Sequence, residues 1–219
     1  MTETFRLHAV GGLCNRLRAI LSYRAVHRKL VVVWEPDQYV SHGRFEDVFE
    51  PLEGVTFVDS AWFMKEDFAP HPNAPRGWET AYGELLPVGG GWRHSGWRPY
   101  CAIHVRRTDH VPDVDTHGGR MTPIGAFLEW AFQWPGLPVW CAVDNGETRA
   151  TLERALGSRF RAGEDPGGAE FQQLTDHRRN GSLQSAVTDM FQCAVAAHFM
   201  GSHASSFTDT IEILRRLRG

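Results

Sequence analysis

Short apolar runs alternate with amphipathic segments along most of the chain. Apolar runs of about five residues predict buried strands, and apolar residues spaced three and four apart predict helices. The predicted strands are Phe5–Val10, Leu30–Trp34, Val55–Val58, Tyr100–Val105, Val139–Val143 and His198–Gly201, with one more short strand within residues 157–181. The predicted helices are Leu17–Lys29, Phe45–Phe49, Pro123–Trp134, Glu147–Leu156, Ser185–Ala197 and Phe207–Leu217. This alternation predicts an α/β fold.

The alternation is interrupted by a glycine- and proline-rich segment at Pro87–Pro99. Such a segment cannot continue a helix or a central strand. We therefore predict two Rossmann-like domains, residues 1–98 and 99–219, that face each other across a cleft. Residues 61–87 carry several prolines and predict irregular structure. The aromatic side chains there either fill a satellite core, which we favour, or form a sugar-stacking face. They are Trp62, Trp78 and Tyr82.

Composition and charge exclude some classes of function but do not identify one. The chain has 219 residues and a formal net charge of -3, which argues against broad electrostatic binding to nucleic acid. No apolar signal core or membrane-spanning stretch is present in the sequence, so we expect no membrane partner. The four cysteines are far apart, which predicts buried thiols, no metal site and a reducing, cytoplasmic setting. They are Cys14, Cys101, Cys141 and Cys193.

Two adjacent arginines, Arg106 and Arg107, directly follow the predicted strand at residues 100–105. Ligands bind at the carboxyl ends of the strands in a parallel sheet. A guanidinium group there can hold a phosphate or diphosphate through two parallel hydrogen bonds. A salt bridge with Asp109 is the competing interpretation. Because neighbouring residues on a strand alternate sides, we expect Arg106 to face the ligand and Arg107 to pair with an acid.

A glycine turn, Gly11-Gly12, follows the first predicted strand and precedes Asn15 and Arg16. Strand, glycine turn and helix together direct backbone N–H groups at an anion. A third polar cluster combines Asp189 with the small-residue turn that ends the last predicted strand and opens the last helix. This turn is Gly201-Ser-His-Ala-Ser-Ser-Phe-Thr-Asp-Thr-Ile211.

In order and spacing, these three clusters resemble the motifs of the fucosyltransferase superfamily that uses GDP-fucose. That superfamily includes the α-1,6-fucosyltransferases, the rhizobial Nod-factor fucosyltransferases and the protein O-fucosyltransferases. The string His-Val-Arg-Arg-Thr-Asp at residues 104–109 is most similar to the α-1,6 branch. The resemblance implies a GT-B-like fold with two Rossmann-like domains. It also implies an inverting glycosyltransferase that takes fucose from GDP-fucose, or another sugar from a nucleotide sugar.

Residue by residue, the resemblance implies a role for each cluster. Arg106 matches the arginine that holds the β-phosphate and neutralises the departing diphosphate. His104 and Asp189 match the positions that contact guanine, and Ser205 or Ser206 matches the serine that binds the donor phosphates. The glycine-rich loop near the diphosphate and acceptor corresponds to Gly11, Gly12, Asn15 and Arg16. Asp144 matches an acidic residue after the preceding strand.

Glycosyl transfer builds negative charge on the leaving diphosphate and needs a base for the acceptor hydroxyl. No metal-binding run is evident in the sequence, so Arg106 is predicted as the fixed cation, without metal or cofactor. The relatives place a glutamate in the loop after the arginines, where this chain has Val114. We predict Asp113 or Asp115 as the base, and His110 or His117 otherwise.

The acceptor is left open as a glycan, a small molecule or modified nucleic acid. A nucleic-acid acceptor needs a local basic groove, for which the sequence offers Arg16, Arg18, Arg24 and Arg28. A further alternative is a module that binds nucleotide sugars without catalysis. The intact arginine pair argues against that module, and the missing glutamate argues for it.

Overall fold

The computed structural model describes residues 4–35, 43–59, 65–90, 99–108, 122–165 and 181–218. It contains two parallel four-stranded sheets, one in each half of the chain, which confirms the predicted α/β fold. The strands are β1 Phe5–Ala9, β2 Leu30–Val33, β3 Val55–Val58, β4 Lys65–Asp67, β5 Cys101–Val105, β6 Val139–Val143, β7 Phe160–Arg161 and β8 His198–Gly201. The α-helices are α1 Leu13–Arg24, α2 Ile124–Phe132, α3 Gly146–Leu156, α4 Leu183–Val195 and α5 Ser206–Arg218. Short 3-10 helices lie at Phe45–Asp47, Trp78–Glu84, Val88–Gly90 and Gly157–Arg159.

The first sheet has the strand order β3-β2-β1-β4. Leu7, Ala9 and Val32 are buried on it, as the apolar pattern of β1 and β2 predicted. The edge strand β4 corrects the prediction of irregular structure between residues 61 and 87. All three of its residues are charged, so it carries no apolar signal. An edge strand tolerates such a sequence because it is paired on one side and need not be buried.

The second sheet has the order β7-β6-β5-β8. All five residues of β5 are buried, as expected for an interior strand of a parallel sheet. β5 pairs with β6 along its whole length, from Cys101 opposite Val139 to Val105 opposite Val143. The polar residues that follow these two strands therefore emerge at the same edge of the sheet.

Helix α1 begins at Leu13, four residues earlier than the spacing of its apolar residues predicted, and ends at Arg24 instead of Lys29. Leu13 and Cys14 are buried in the core, so the helix starts directly after the glycine turn. Asn15 and Arg16 consequently lie in the first turn of α1, whereas the apolar spacing placed them directly before the helix.

The C-terminal helix α5 joins the two halves. Ile211 and Leu214 on α5 pack into one hydrophobic cluster that also contains Leu17 and Leu21 of α1. Tyr82 is buried in the same cluster, as the core interpretation predicted. The Arg218 guanidinium donates a hydrogen bond to the Leu85 carbonyl oxygen at 3.2 Å. The end of the second half therefore packs directly against the first half.

Other sequence predictions concern the cysteines, the domain boundary and the membrane. All four cysteines are buried free thiols, which confirms that part of the cysteine prediction. The domain boundary predicted between residues 98 and 99 adjoins segment 91–98, which lies outside the described residues, so the boundary stays a prediction. Trp62 also lies outside the described residues. No helix within the described ranges is both long enough and apolar enough to cross a bilayer.

Candidate functional site

A cavity of about 170 Å³ lies at the carboxyl ends of β5 and β6. The first turns of α1 and α5 and one face of α4 complete its wall, so both halves of the chain contribute. Seven residues predicted from the sequence line it. They are Gly12, Asn15, His104, Arg106, Asp144, Asp189 and Ser206. Gly11, Arg16 and Ser205 are not in the lining, although each neighbours a residue that is.

Arg106 lines the cavity directly after β5. Ser202, in the turn after β8, fixes the backbone at this point. The Arg106 N–H donates to the Ser202 hydroxyl oxygen at 2.9 Å, and the Ser202 N–H donates to the His104 carbonyl oxygen at 2.9 Å. These bonds extend the pairing of β5 with β8 past the last strand residue. They hold the start of the arginine turn against the second sheet.

Arg107 does not line the cavity. Its side chain is buried and donates from Nη2 to the Thr122 carbonyl oxygen at 2.8 Å. Its backbone N–H donates to both carboxylate oxygens of Asp144, at 3.0 and 2.9 Å, and the Thr108 N–H donates to Asp144 Oδ2 at 2.9 Å. Asp144 therefore fixes the turn that carries Arg106. The predicted partner Asp109 lies outside the described residues.

His104 is buried at the end of β5, and its ring is held on two sides. Nδ1 lies 2.9 Å from the Thr208 hydroxyl, and the ring stacks on Phe207 with centroids 4.7 Å apart. Both partners come from the first turn of α5. The sequence analysis missed these supports because the contact spans about 100 residues of the chain, and their spacing from His104 carries no local signal.

Gly201, the last residue of β8, permits this arrangement. A Cβ atom there would overlap the methyl and hydroxyl groups of Thr208 and approach the Phe199 ring at 3.0 Å. Because Thr208 is β-branched and bonded to His104, it has little room to move. We expect Gly201→Ala to lower the free energy of unfolding by about 1–3 kcal/mol. Urea unfolding followed by circular dichroism measures this change.

Gly125→Ala is the matched control for that substitution. Gly125 lies in α2, and a Cβ atom there would meet nothing within 4 Å. Alanine also favours a helix over glycine by about 0.5–1 kcal/mol. We therefore expect the control to leave stability unchanged or to raise it. Equal stabilities for the two variants would contradict the packing assigned to Gly201.

Asp189 lines the cavity from α4, which projects it toward β6. Its Oδ1 accepts a hydrogen bond from Trp140 Nε1 at 2.9 Å. Burial raises the pKa of the carboxyl to about 7, although the Trp140 bond and the nearby charge of Arg149 lower it. Gly163 lies close, since a Cβ atom at that position would be 3.3 Å from Asp189 Oδ1. The group is therefore poised to change its charge near neutral pH.

The glycine turn approaches the cavity through Gly12 and Asn15. Gly11 has φ 85°, a conformation that favours glycine. Arg16 is buried behind the turn, where its Nε donates to the Gly11 carbonyl oxygen and its Nη1 to the Glu35 carbonyl oxygen, both at 2.8 Å. Its guanidinium also lies 5.1 Å from the centroid of the Trp34 ring. Arg16 thus fixes the turn from behind.

The two candidate serines differ in their surroundings. Ser206, the first residue of α5, lines the cavity. Ser205 is fully buried, and its hydroxyl has no hydrogen-bond partner among the described residues. Of the two positions that the resemblance offered for phosphate binding, the geometry favours Ser206.

Two helix N-termini meet at the cavity. Helix α1 has no side-chain cap and no acidic residue in its first turn, and α5, which carries Asp209 in its first turn, begins at the same cavity. Unpaired N–H groups and the helix dipole make such ends favourable for anions. Together with Arg106 they provide groups that can bind an anion. Asp189 and Glu164 line it as well and supply acceptor oxygens.

Cys14 also lines the cavity, in the first turn of α1. Burial raises the pKa of its thiol to about 12, despite the nearby positive charges of Arg106 and Arg18. The thiol is therefore neutral near pH 7 and contributes no charge to the site. The predicted bases Asp113 and Asp115, and the fallbacks His110 and His117, lie outside the described residues.

No protein-family model matches the chain, and neither does the sequence of any curated protein. Solved fucosyltransferase structures match nearly all of it. NodZ from Bradyrhizobium is 15% identical with a TM-score of 0.57, covering 97% of this chain and 94% of that one. POFUT1 in complex with GDP is 13% identical with a TM-score of 0.60, covering 100% and 96%. The POFUT1 complex with GDP-fucose is 12% identical with a TM-score of 0.56, covering 100% and 97%.

The chain has the fold of the GT-B fucosyltransferases. The family resemblance of the three motifs implied this fold, and the structural likeness confirms it over both halves of the chain. In this fucosyltransferase-like fold, residues from all three motifs line one cavity, which spans the two halves.

Proposed function

We propose that the protein is an inverting glycosyltransferase that moves fucose from GDP-fucose to an acceptor hydroxyl without a metal ion. The observation that carries this proposal is the position of Arg106. It lines a cavity that is bounded by two helix N-termini and also contains His104 and Asp189. Such a site offers a cation for a diphosphate and a carboxylate for a nucleobase. The GDP and GDP-fucose bound to POFUT1 have the same two parts.

The diphosphate and the guanine of the donor contact different residues of this cavity. The diphosphate lies against Arg106, the first turn of α1 and Ser206 at the start of α5. The guanine lies toward Asp189 and His104. Guanine presents two kinds of N–H donor on one edge, and a carboxylate accepts both. Trp140 fixes one oxygen of that carboxylate and so sets its orientation.

The reaction breaks the bond between fucose C1 and the β-phosphate oxygen, and the electron pair leaves with GDP. The acceptor oxygen forms a new bond to C1 from the opposite face, and its proton passes to a base. Negative charge grows on the diphosphate as the bond breaks, so a preorganised guanidinium stabilises the transition state more than the ground state. Arg106 supplies that charge, and Asp113 or Asp115 is the proposed base.

Two alternatives are less well supported. A nucleic-acid acceptor requires a basic groove, for which the sequence offered four arginines in and near α1. Arg16 is buried, Arg18 donates to Asn15 at 2.8 Å, and Arg24 donates to Glu84 at 2.7 Å. Three of the four are therefore bonded within the protein. A non-catalytic nucleotide-sugar module uses the same cavity and differs only in lacking turnover.

A thermal-shift panel with GDP, GDP-fucose, UDP and ADP tests the donor site. At a concentration about 100 times Kd, a ligand stabilises the fold by about 2.7 kcal/mol, which raises Tm by about 5–10 °C. We expect this rise with GDP and GDP-fucose and a smaller one with UDP and ADP. No rise with any of these nucleotides contradicts the donor site. A rise without GDP release from GDP-fucose on any acceptor supports the non-catalytic module.

A further inference from the structure

Arg18 lies three residues after Asn15 on α1, and its side chain is half-buried. Its charge made it a candidate for binding nucleic acid, but its contacts indicate another role. Arg18 Nη2 donates to Asn15 Oδ1 at 2.8 Å and to the Phe68 carbonyl oxygen at 3.4 Å. Since Asn15 lines the cavity, Arg18 connects a cavity-lining side chain to the backbone that follows β4.

The contact with Arg18 fixes which end of the Asn15 amide is left for a ligand. An asparagine amide has an oxygen that accepts hydrogen bonds and an NH2 group that donates them, whereas arginine only donates. The amide oxygen must therefore face Arg18. The Asn15 Nδ2 atom is held 3.3 Å from where a Cβ atom would lie on Gly11, so the amide packs against the glycine turn. Within the described part of the chain, Nδ2 donates no hydrogen bond, and its two N–H groups are available to a ligand.

The first turn of α1, which carries Asn15, lies close to the proposed diphosphate position. Burial raises the pKa of the Cys14 thiol to about 12, and the positive charges of Arg106 and Arg18 both oppose that rise. Because both charges act on Cys14, this turn is a neighbour of both arginines. Cys14 and Asn15 are adjacent, and both line the cavity together with Arg106. A diphosphate at Arg106 therefore adjoins the first turn of α1.

Arg24, six residues further along α1, shows what a purely structural arginine looks like on the same helix. Its Nε donates to the Glu53 carbonyl oxygen at 2.8 Å, and its Nη2 donates to the Glu84 carboxylate at 2.7 Å. Arg24 and its two partners do not line the cavity. Arg18 differs because one of its partners is a cavity-lining amide, whose two ends have opposite hydrogen-bonding properties.

We propose that Arg18 is a positioning residue for the donor site, which orients the Asn15 amide so that Nδ2 donates to the diphosphate of the nucleotide sugar. This inference rests on the proposed function, because it concerns the same cavity and the same donor. Arg18 itself does not touch the ligand. Without Arg18 the amide is free to turn over and present its oxygen, which repels a phosphate. An amide that is oriented in advance loses less conformational freedom when the ligand binds.

A double-mutant cycle on GDP binding tests this role, with Kd measured by calorimetry for the wild type, Arg18→Ala, Asn15→Ala and the double variant. We expect Asn15→Ala to weaken GDP binding about ten- to a hundredfold, as for a lost hydrogen bond to a charged group. Arg18→Ala should weaken it about three- to tenfold, because the amide remains but is no longer oriented. On the Asn15→Ala background, removing Arg18 should change Kd by less than about twofold, since no amide is left to orient. Equal effects of Arg18→Ala on the two backgrounds would overturn the inference.

Two further variants separate orientation from charge and stability. Arg18→Lys keeps a donor for the amide oxygen, so its Kd for GDP should lie closer to that of the wild type than the Kd of Arg18→Ala does. Arg24→Ala is the matched control, because it removes an equal charge and a bonded side chain from α1 away from the cavity. Its Tm should fall as much as that of Arg18→Ala or more, with an unchanged Kd for GDP. If the wild type binds GDP and Arg18→Ala binds it equally well, only the positioning role is wrong, whereas absent GDP binding by the wild type removes the proposed donor site.

Discussion

Arg106→Ala is expected to lower kcat for fucosyl transfer about 10²- to 10³-fold, the loss typical of removing one preorganised group from a developing negative charge. Arg106 lines the cavity, and its backbone is fixed by Ser202. The backbone that carries the guanidinium is thus held in place before the reaction starts. The affinity for GDP-fucose should fall less than kcat, because charge on the diphosphate grows as the bond breaks. Single-turnover kinetics with GDP-fucose separates the two effects.

Arg106→Lys and Arg154→Ala complete this experiment. Lysine keeps the charge but not the planar, two-pronged donor geometry, so partial activity is expected. Arg154→Ala removes the same charge from an exposed position on α3, and its activity should equal that of the wild type. If Arg106→Ala keeps kcat within about threefold of the wild type, the proposed role in leaving-group stabilisation is wrong.

The sequence predicted best the strands and helices whose positions are set by the pattern of apolar residues. β5 shows this directly, because its mainly apolar sequence predicted a buried strand and all five of its residues are buried. The start of α1 was predicted four residues too late. The helical spacing of apolar residues becomes recognisable only from Leu17 onward, whereas the helix begins at Leu13. β4 was missed because Lys65-Glu66-Asp67 has no apolar residue and depends wholly on its pairing with β1.

Seven of the predicted site residues line one cavity, but the sequence did not show which predicted residues support the turns around it. Arg16 and Asp144 resemble ligand-binding residues in type and position. In the structure Arg16 lies outside the lining and bonds to two carbonyl oxygens, whereas Asp144 lines the cavity and also accepts from two backbone N–H groups. Such contacts depend on how the backbone turns after each strand, and no spacing rule in the sequence reports them. The same holds for Thr208, which supports His104 from another element.

Donor affinity should depend on pH through Asp189. Burial raises the pKa of its carboxyl to about 7 in the free protein, and guanine N–H groups bind the ionised form. Below that pKa, binding must first remove a proton, so the association constant for GDP-fucose should fall about tenfold per pH unit. GDP-fucose is the suitable probe because its substituted diphosphate does not titrate near neutrality. Calorimetry between about pH 5 and 8.5 measures the profile.

Asp189→Asn and Trp140→Phe test the assignment of this profile. Asparagine cannot ionise, so the pH slope should disappear and binding at about pH 8 should weaken by about 1.5–3 kcal/mol, the usual contribution of a hydrogen bond to a charged group. Phenylalanine removes the Trp140 N–H that stabilises the carboxylate, so the midpoint should move to higher pH. The raised pKa of Asp189 also makes the stability of the free protein depend on pH. Because the folded-state pKa lies above the unfolded one, wild-type stability should fall relative to Asp189→Asn as the pH rises from about 4 to 7. A pH profile that Asp189→Asn leaves unchanged would show that another group controls donor binding.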